Sequence, residues 1–171
     1  MSAPPPTCAP ERLALPDLDA TRDLARAIAG VARPGDVVGL AGVLGAGKTT
    51  FARAFVNARA EAAGSGPVEV PSPTFTLVQP YDIGATTVFH FDLYRVDVPE
   101  DALELGIEDA FATGISLVEW PDRLGLLMPE DALLVTLLQG ARENAREAEI
   151  EAGPGWSEHI GGTFDRFRAQ A

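Results

Sequence analysis

The run DVVGLAG, Asp36 to Gly42, is short, apolar and without alternation, and it leads directly into Gly42-Val43-Leu44-Gly45-Ala46-Gly47-Lys48-Thr49. A run of this kind suits a parallel strand buried on both faces. The segment after it, KTTFARAFVNARAEAAG, is patterned as a helix with Phe51, Phe55 and Val56 on its inner side. A buried strand, a glycine-rich turn and a helix form half of a βαβ unit, so this stretch commits the chain to an α/β sheet. The turn fits the phosphate-loop pattern of Gly, four residues, then Gly-Lys-Thr. Its glycines let the backbone wrap closely and point N–H groups inward. The helix beginning near Lys48 adds its positive end, and the Thr49 hydroxyl is a hard oxygen ligand of the kind Mg²⁺ takes.

Lys48 is the only lysine among thirteen basic side chains. A compact ammonium on a thin stem reaches between β- and γ-phosphates, whereas the arginine fork is bulkier and spreads its charge. Nucleoside triphosphate binding is therefore expected, with ATP as the nucleotide. A guanine-reading Asn-Lys-x-Asp element would need a second lysine.

The remaining segments extend the same architecture. ERLALP reads as an edge strand, and DLDATRDLARAIAGVARPG as a helix ending near Pro34-Gly35, with Leu18, Leu24, Ala25, Ile28 and Val31 at helical spacing. TFTLVQPY and TTVFHFDLYRV read as two strands joined near Asp82-Ile83-Gly84. PEDALELGIEDAF opens a helix, and ISLVEWP and DALLVTLLQG are further strands. REAEIEA alternates as a half-exposed strand, and the tail WSEHIGGTFDRFRAQA holds a broken short helix. The fold class expected is a phosphate-loop α/β fold. It has a mixed sheet with a parallel centre, antiparallel additions and helices on both faces. The domain spans 11–152, between a disordered lead at 1–10 and a tail at 153–171.

The lead MSAPPPTCAPERL has no basic region followed by an apolar run and does not read as a secretory signal. Its three consecutive prolines disfavour helix and sheet, and Cys8 is expected as a free thiol in a reducing cytoplasm. No apolar window is long enough to span a membrane. The net charge of -12 argues against a broad interface with a phosphate backbone. Any work on nucleic acid would pass through a partner that holds it.

Two carboxylates suit the metal and the attacking water. Glu119 ends the run ISLV, at the strand edge where α/β sheets bind ligands, and would join Thr49 on Mg²⁺. Asp92, in HFDLYR, shares one strand face with His90 and Tyr94. It would line the γ-phosphate, unless that face is simply solvated. His90 with Asp92 lacks the third ligand of a transition-metal site. Ser72, Thr74 and Thr76 in PSPTFT form either a phosphate-sensing loop or a plain turn. The Trp120 indole suits the core or a nucleotide.

GVLGAGKTTFARAF, SPTFTLVQPY, FHFDLYRV, ELGIEDAF and ISLVEWPDRL, in this order, closely resemble the TsaE (YjeE) family of small bacterial ATPases. That family is required for threonylcarbamoyladenosine formation at position 37 of tRNA. The resemblance covers roughly Asp17 to Arg146. It implies that Gly45, Ala46, Gly47, Lys48, Thr49 and Thr50, entered through Gly42, wrap the ATP phosphates, with Thr49 and Glu119 on Mg²⁺. It makes Asp92 the essential aspartate, Thr74 part of a switch-like loop, and Trp120 a nucleotide-side residue. Thr21 falls near the base, and Arg142 or Arg146 in an arginine-containing element. It also implies the partners TsaD and TsaB, with carbamoyl transfer performed by TsaD. Hydrolysis, slow without partners, would reset that complex. The alternatives are a small-molecule phosphate-loop kinase and a nucleotide-binding module without useful hydrolysis.

Overall fold

The computed structural model describes residues 9–168. The expected lead and Cys8 lie almost wholly or wholly outside the described residues. Within them, a seven-stranded sheet runs in the order β1-β7-β6-β2-β5-β4-β3. The strands are β1 Glu11–Leu15, β2 Val37–Ala41, β3 Val78–Ile83, β4 Thr86–Asp92, β5 Ile115–Glu119, β6 Leu133–Gln139 and β7 Arg146–Ala152. β2 lies between β5 and β6 and is parallel to both, and β4 is parallel to β5. β3 adds antiparallel at one edge, and β7 and then β1 at the other. This is the mixed sheet expected, with its parallel centre where the unalternated apolar runs lie.

Helices cover both faces. On one face lie α1 Leu18–Val31 and α2 Lys48–Ala62. Asp17 caps α1 by accepting a hydrogen bond from the Ala20 amide at 2.8 Å, and the helix buries Leu24, Ala25, Ile28 and Ala29. α2 presents Phe51, Phe55 and Val56 to the same core. The other face carries α3 Pro99–Glu104, α4 Ile107–Thr113 and a 3₁₀ segment at Pro121–Leu127, packed over Phe91, Leu93, Val118 and Leu124. No helix among the described residues is long and apolar enough to cross a membrane.

Three segments differ from the sequence reading. The strand expected from Thr74 begins at Val78. Pro71 and Pro73 have no amide to give a ladder, and Pro73 to Leu77 turn on themselves through the Leu77 amide donating to the Pro73 carbonyl at 2.7 Å. The helix expected over PEDALELGIEDAF is two helices, parted at Gly106, whose φ is 75°. The tail is more than an appendage. Its short helices α5 Pro154–Ser157 and α6 Asp165–Arg168 place Trp156, Ile160, Phe164 and Phe167 in the main core, beside Leu13 and Leu24.

Candidate functional site

The C-terminal ends of β2, β5 and β4 lie side by side, and the register sets what they display. Leu40 and Asp92 are both opposite Glu119, so two carboxylates from strands far apart in sequence become neighbours on the edge beside the glycine loop. Their faces follow from strand alternation. Phe91 and Val118 point into the core under α3 and α4, which turns Asp92 and Glu119 toward α2. Both carboxylates are buried.

The loop itself is held from two sides. Gly42 has φ 137°, and a Cβ there would lie 2.6 Å from the Leu137 carbonyl oxygen of β6. Only glycine lets the chain leave β2 this close to its neighbour. From behind, the Arg146 guanidinium of β7 donates to the Ala46 carbonyl at 2.8 Å and the Gly45 carbonyl at 3.2 Å. Its Nη1 donates to the carbonyls of Glu143 and Ala145. The N–H of a trans peptide points opposite to its C=O, so the Ala46 carbonyl drawn outward turns the Gly47 amide inward, as a phosphate requires. The Ala46 amide itself donates to the Val43 carbonyl at 3.0 Å.

Inside the loop, the buried Lys48 ammonium donates to the Gly42 carbonyl at 2.7 Å and the Val43 carbonyl at 2.8 Å. It sits 4.3 Å from the centre of the Trp120 ring, a cation–π distance. Burial pulls its pKa below the ordinary lysine value, while Glu119, Asp92 and Asp122 hold the proton on. Trp120 takes a left-handed backbone, φ 59° and ψ 55°. That conformation is costly for a bulky side chain, and it swings the indole back over Lys48 and onto Tyr94, 5.0 Å away between ring centres.

The polar groups form two linked sets. The Thr49 hydroxyl donates to the Glu119 carboxylate, at 3.0 Å to Oε1 and 3.3 Å to Oε2, and His90 Nε2 lies 2.8 Å from the same Oε1. Across the cleft, Asp92 accepts from the Thr74 hydroxyl at 3.1 Å and the Tyr94 amide at 3.1 Å, and Ser72 lies 2.7 Å from Thr74. A cleft of about 350 Å³ is lined by Gly45, Gly47, Lys48, Thr49 and Thr50 from the loop and its helix. Thr74, Asp92, Glu119 and Trp120 close its other sides.

Other residues of the expected site stand elsewhere. Gly42 and Ala46 are loop residues outside the lining of this cleft: the Gly42 carbonyl accepts from Lys48, and the Ala46 amide donates to the Val43 carbonyl at 3.0 Å. Arg146 grips loop carbonyls, and the Arg142 carbonyl lies 3.4 Å from the Gln139 amide nitrogen. Thr21 is buried in α1, its hydroxyl 3.5 Å from the Asp17 carbonyl. The contact of His90 with Glu119 escaped the sequence reading. The polar period His90-Asp92-Tyr94 marked the residue, but its partner lies on another strand.

Thr49 and Glu119 bring a hydroxyl and a carboxylate together, hard oxygen donors that suit Mg²⁺, which keeps several waters and takes phosphate oxygens besides. Among the described residues no group of three His, Cys, Asp or Glu side chains gathers to hold a metal ion by itself. The Thr49 hydroxyl and the Glu119 carboxylate leave magnesium's other positions to water and phosphate oxygens, which fits an ion arriving with phosphates.

Comparison with known proteins gives the family. The family model described as threonylcarbamoyl adenosine biosynthesis protein TsaE matches residues 15–148. The tRNA threonylcarbamoyladenosine biosynthesis protein TsaE of Bacillus subtilis (strain 168) is 36% identical over 133 residues, 77% of this chain and 79% of that protein. The protein of the same name from Rickettsia bellii is 37% identical over 117 residues, 68% of this chain and 78% of its own. The crystal structure of YdiB from Bacillus subtilis superposes with a TM-score of 0.69 at 28% identity, covering 94% of this chain and 95% of that one.

Proposed function

The chain belongs to the TsaE family, and from that premise we propose that it is a magnesium-dependent ATPase of tRNA threonylcarbamoyladenosine biosynthesis. It acts in the cytoplasm at position 37 of tRNA through a TsaD–TsaB complex, which its hydrolysis resets. The observation that carries this reading is the convergence of Lys48, Thr49, Asp92 and Glu119 in one cleft at the start of α2. The net charge of -12 supports contact with tRNA through the partner complex only.

Each residue has a task in this reading. The amides from Gly45 to Thr50 and the N-terminus of α2 receive phosphate oxygens. Lys48 exchanges the Gly42 and Val43 carbonyls for those oxygens. Thr49 and Glu119 would hold Mg²⁺, which supplies charge neutralisation on the phosphates when bound. Asp92, steadied by the Tyr94 amide, orients the attacking water and accepts its proton. Trp120 and Tyr94 form an apolar wall that limits water around the reacting phosphate.

A kinase would need arginines closing over the transferred phosphate. Here Arg123 reaches back to the Val96 carbonyl at 3.4 Å and Arg146 lies behind the loop, so hydrolysis is the favoured reading. The test is ATP turnover without an acceptor, alongside reconstituted tRNA modification with TsaD, TsaB and threonylcarbamoyl-adenylate. Slow turnover that the partners stimulate is expected, with Lys48→Ala and Asp92→Ala both failing to support modification. Full modification with Asp92→Ala would remove Asp92 from catalysis.

A further inference from the structure

We propose that His90 is a positioning residue for the magnesium-binding carboxylate, fixing Glu119 through a permanent hydrogen bond that the Thr49 hydroxyl cannot supply. The inference deepens the ATPase reading and rests on it.

His90 is fully buried on β4. Its Nε2 lies 2.8 Å from Glu119 Oε1, and its Nδ1, also buried, has no hydrogen-bond partner among the described residues. These contacts assign the ring proton. A lone pair on Nε2 would face a carboxylate oxygen at hydrogen-bond distance, and a proton on Nδ1 would have no acceptor. The imidazole therefore carries a proton on Nε2 and donates it to Glu119. An apolar side chain would fill this interior position without leaving a ring nitrogen unpaired. The bond to Glu119 is what the histidine contributes.

Glu119 has a second donor in Thr49, but that donor is not lasting under the proposed function. To ligate a cation, Thr49 must present an oxygen lone pair, and its proton then rotates away from the carboxylate. His90 makes no such exchange. Its bond stays on Oε1, so Oε2, which carries only the longer Thr49 contact of 3.3 Å, is the oxygen left to turn toward the cation. Without His90 the carboxylate shares its pocket with the Lys48 ammonium and no longer has a fixed direction. Hydrogen bonds that orient metal-binding carboxylates typically change metal affinity about 10- to 100-fold when removed.

The test uses the full-length protein. ADP binding is followed by calorimetry in EDTA and then as a function of Mg²⁺ concentration, and Mn²⁺ binding in the presence of ADP by electron paramagnetic resonance. His90→Leu removes the donor, and His90→Gln replaces it with an amide N–H able to reach Oε1. Unchanged ADP affinity in EDTA is expected for both variants. The Mg²⁺ and Mn²⁺ half-saturation should rise about 10- to 100-fold in His90→Leu and stay near the parent in His90→Gln. If His90→Leu does not fold, as judged by circular dichroism, His90→Asn takes its place, its amide being too short to reach Oε1. A metal dependence unchanged in the donor-less variant, or a glutamine variant as impaired as it, would overturn the inference. If the parent binds ADP neither with nor without metal, the nucleotide reading itself fails and takes this one with it. Normal ADP binding with an unshifted variant removes the His90 role alone.

Discussion

Gly42→Ala tests how the loop is built. An alanine Cβ at this position would stand 2.6 Å from the Leu137 carbonyl oxygen and 2.9 Å from the Ala46 Cβ, where Cβ contacts do not fall below 3.0 Å. The backbone must open by at least the difference between 2.6 and 3.0 Å. Leu137 cannot retreat, because it is paired with Ala148 inside the β6–β7 ladder. The loop has to move instead. The positive φ costs about 1–2 kcal/mol for a non-glycine residue, and overpacking adds about 1–3 kcal/mol. The total is about 2–5 kcal/mol, or a melting temperature lower by about 4–20 °C for a domain of this size. Displaced amides should weaken ATP binding about 10- to 100-fold. Gly35→Ala separates strain from collision. Gly35 has φ 95° with nothing within 4 Å of an added Cβ, and it precedes β2 at the far end from the cleft. It should lose only the strain, about 1–2 kcal/mol, and keep its ATP affinity. Thermal unfolding by circular dichroism and calorimetry of Mg-ATP binding report the two quantities. Equal destabilisation by the two substitutions, or parental ATP affinity in Gly42→Ala, would refute the claim that the Leu137 carbonyl shapes the loop.

Arg146→Ala should lower ATP affinity about 10-fold by releasing the Ala46 and Gly45 carbonyls, and Arg146→Lys should not restore it, because one ammonium cannot span what the planar fork spans. Restoration by lysine in a binding titration would contradict this. Trp156→Ala should cost about 3–5 kcal/mol in urea unfolding, as for a fully buried aromatic, whereas a free tail would lose almost nothing. The Tyr81 phenol is pushed above the ordinary tyrosine value by burial, with Arg53 pulling the other way. The folded protein thus keeps a proton that the unfolded chain gives up above about pH 10, and stability falls as pH rises through that range. Tyr81→Phe removes both this fall and a buried hydroxyl without a partner among the described residues, so its stability at neutral pH should match or exceed the parent's. An unchanged alkaline loss in urea unfolding between pH 8 and 11 would show that Tyr81 is not responsible.

Much of the architecture was legible because the information is local. The buried strands β2, β5 and β6 announce themselves as short apolar runs, and β7 by the alternation of Glu147, Glu149 and Glu151 with Ala148, Ile150 and Ala152. What was not legible depends on strand order. Asp92 and Glu119 are neighbours only because β5 inserts between β2 and β4, and His90 reaches Glu119 across the same pairing. Arg146 meets Ala46 across a separation of 100 residues, which no window along the chain can report. The packing of the tail was not legible for a different reason. Trp156, Ile160, Phe164 and Phe167 follow a helical spacing, but Gly161 and Gly162 break the run. Its apolar face therefore reads as fragments, although the four side chains still meet one core.

The arginine-rich composition and the single lysine become one argument at this loop. Arg146 works from outside, where carbonyls from Gly45, Ala46, Glu143 and Ala145 converge on one plane. A rigid fork with five donors satisfies such a set at little entropic cost. Lys48 works from inside, where its ammonium meets two adjacent carbonyls and one indole face. Two of its three N–H groups are taken by those carbonyls, and all three can be redirected by rotating a thin stem. A guanidinium in that space would meet Trp120 or the loop backbone before it met a phosphate. Chains that favour arginine elsewhere can do so because a bracing contact rewards planarity. A grip that must let go and take hold again rewards a small, rotatable cation, and that requirement leaves lysine at position 48.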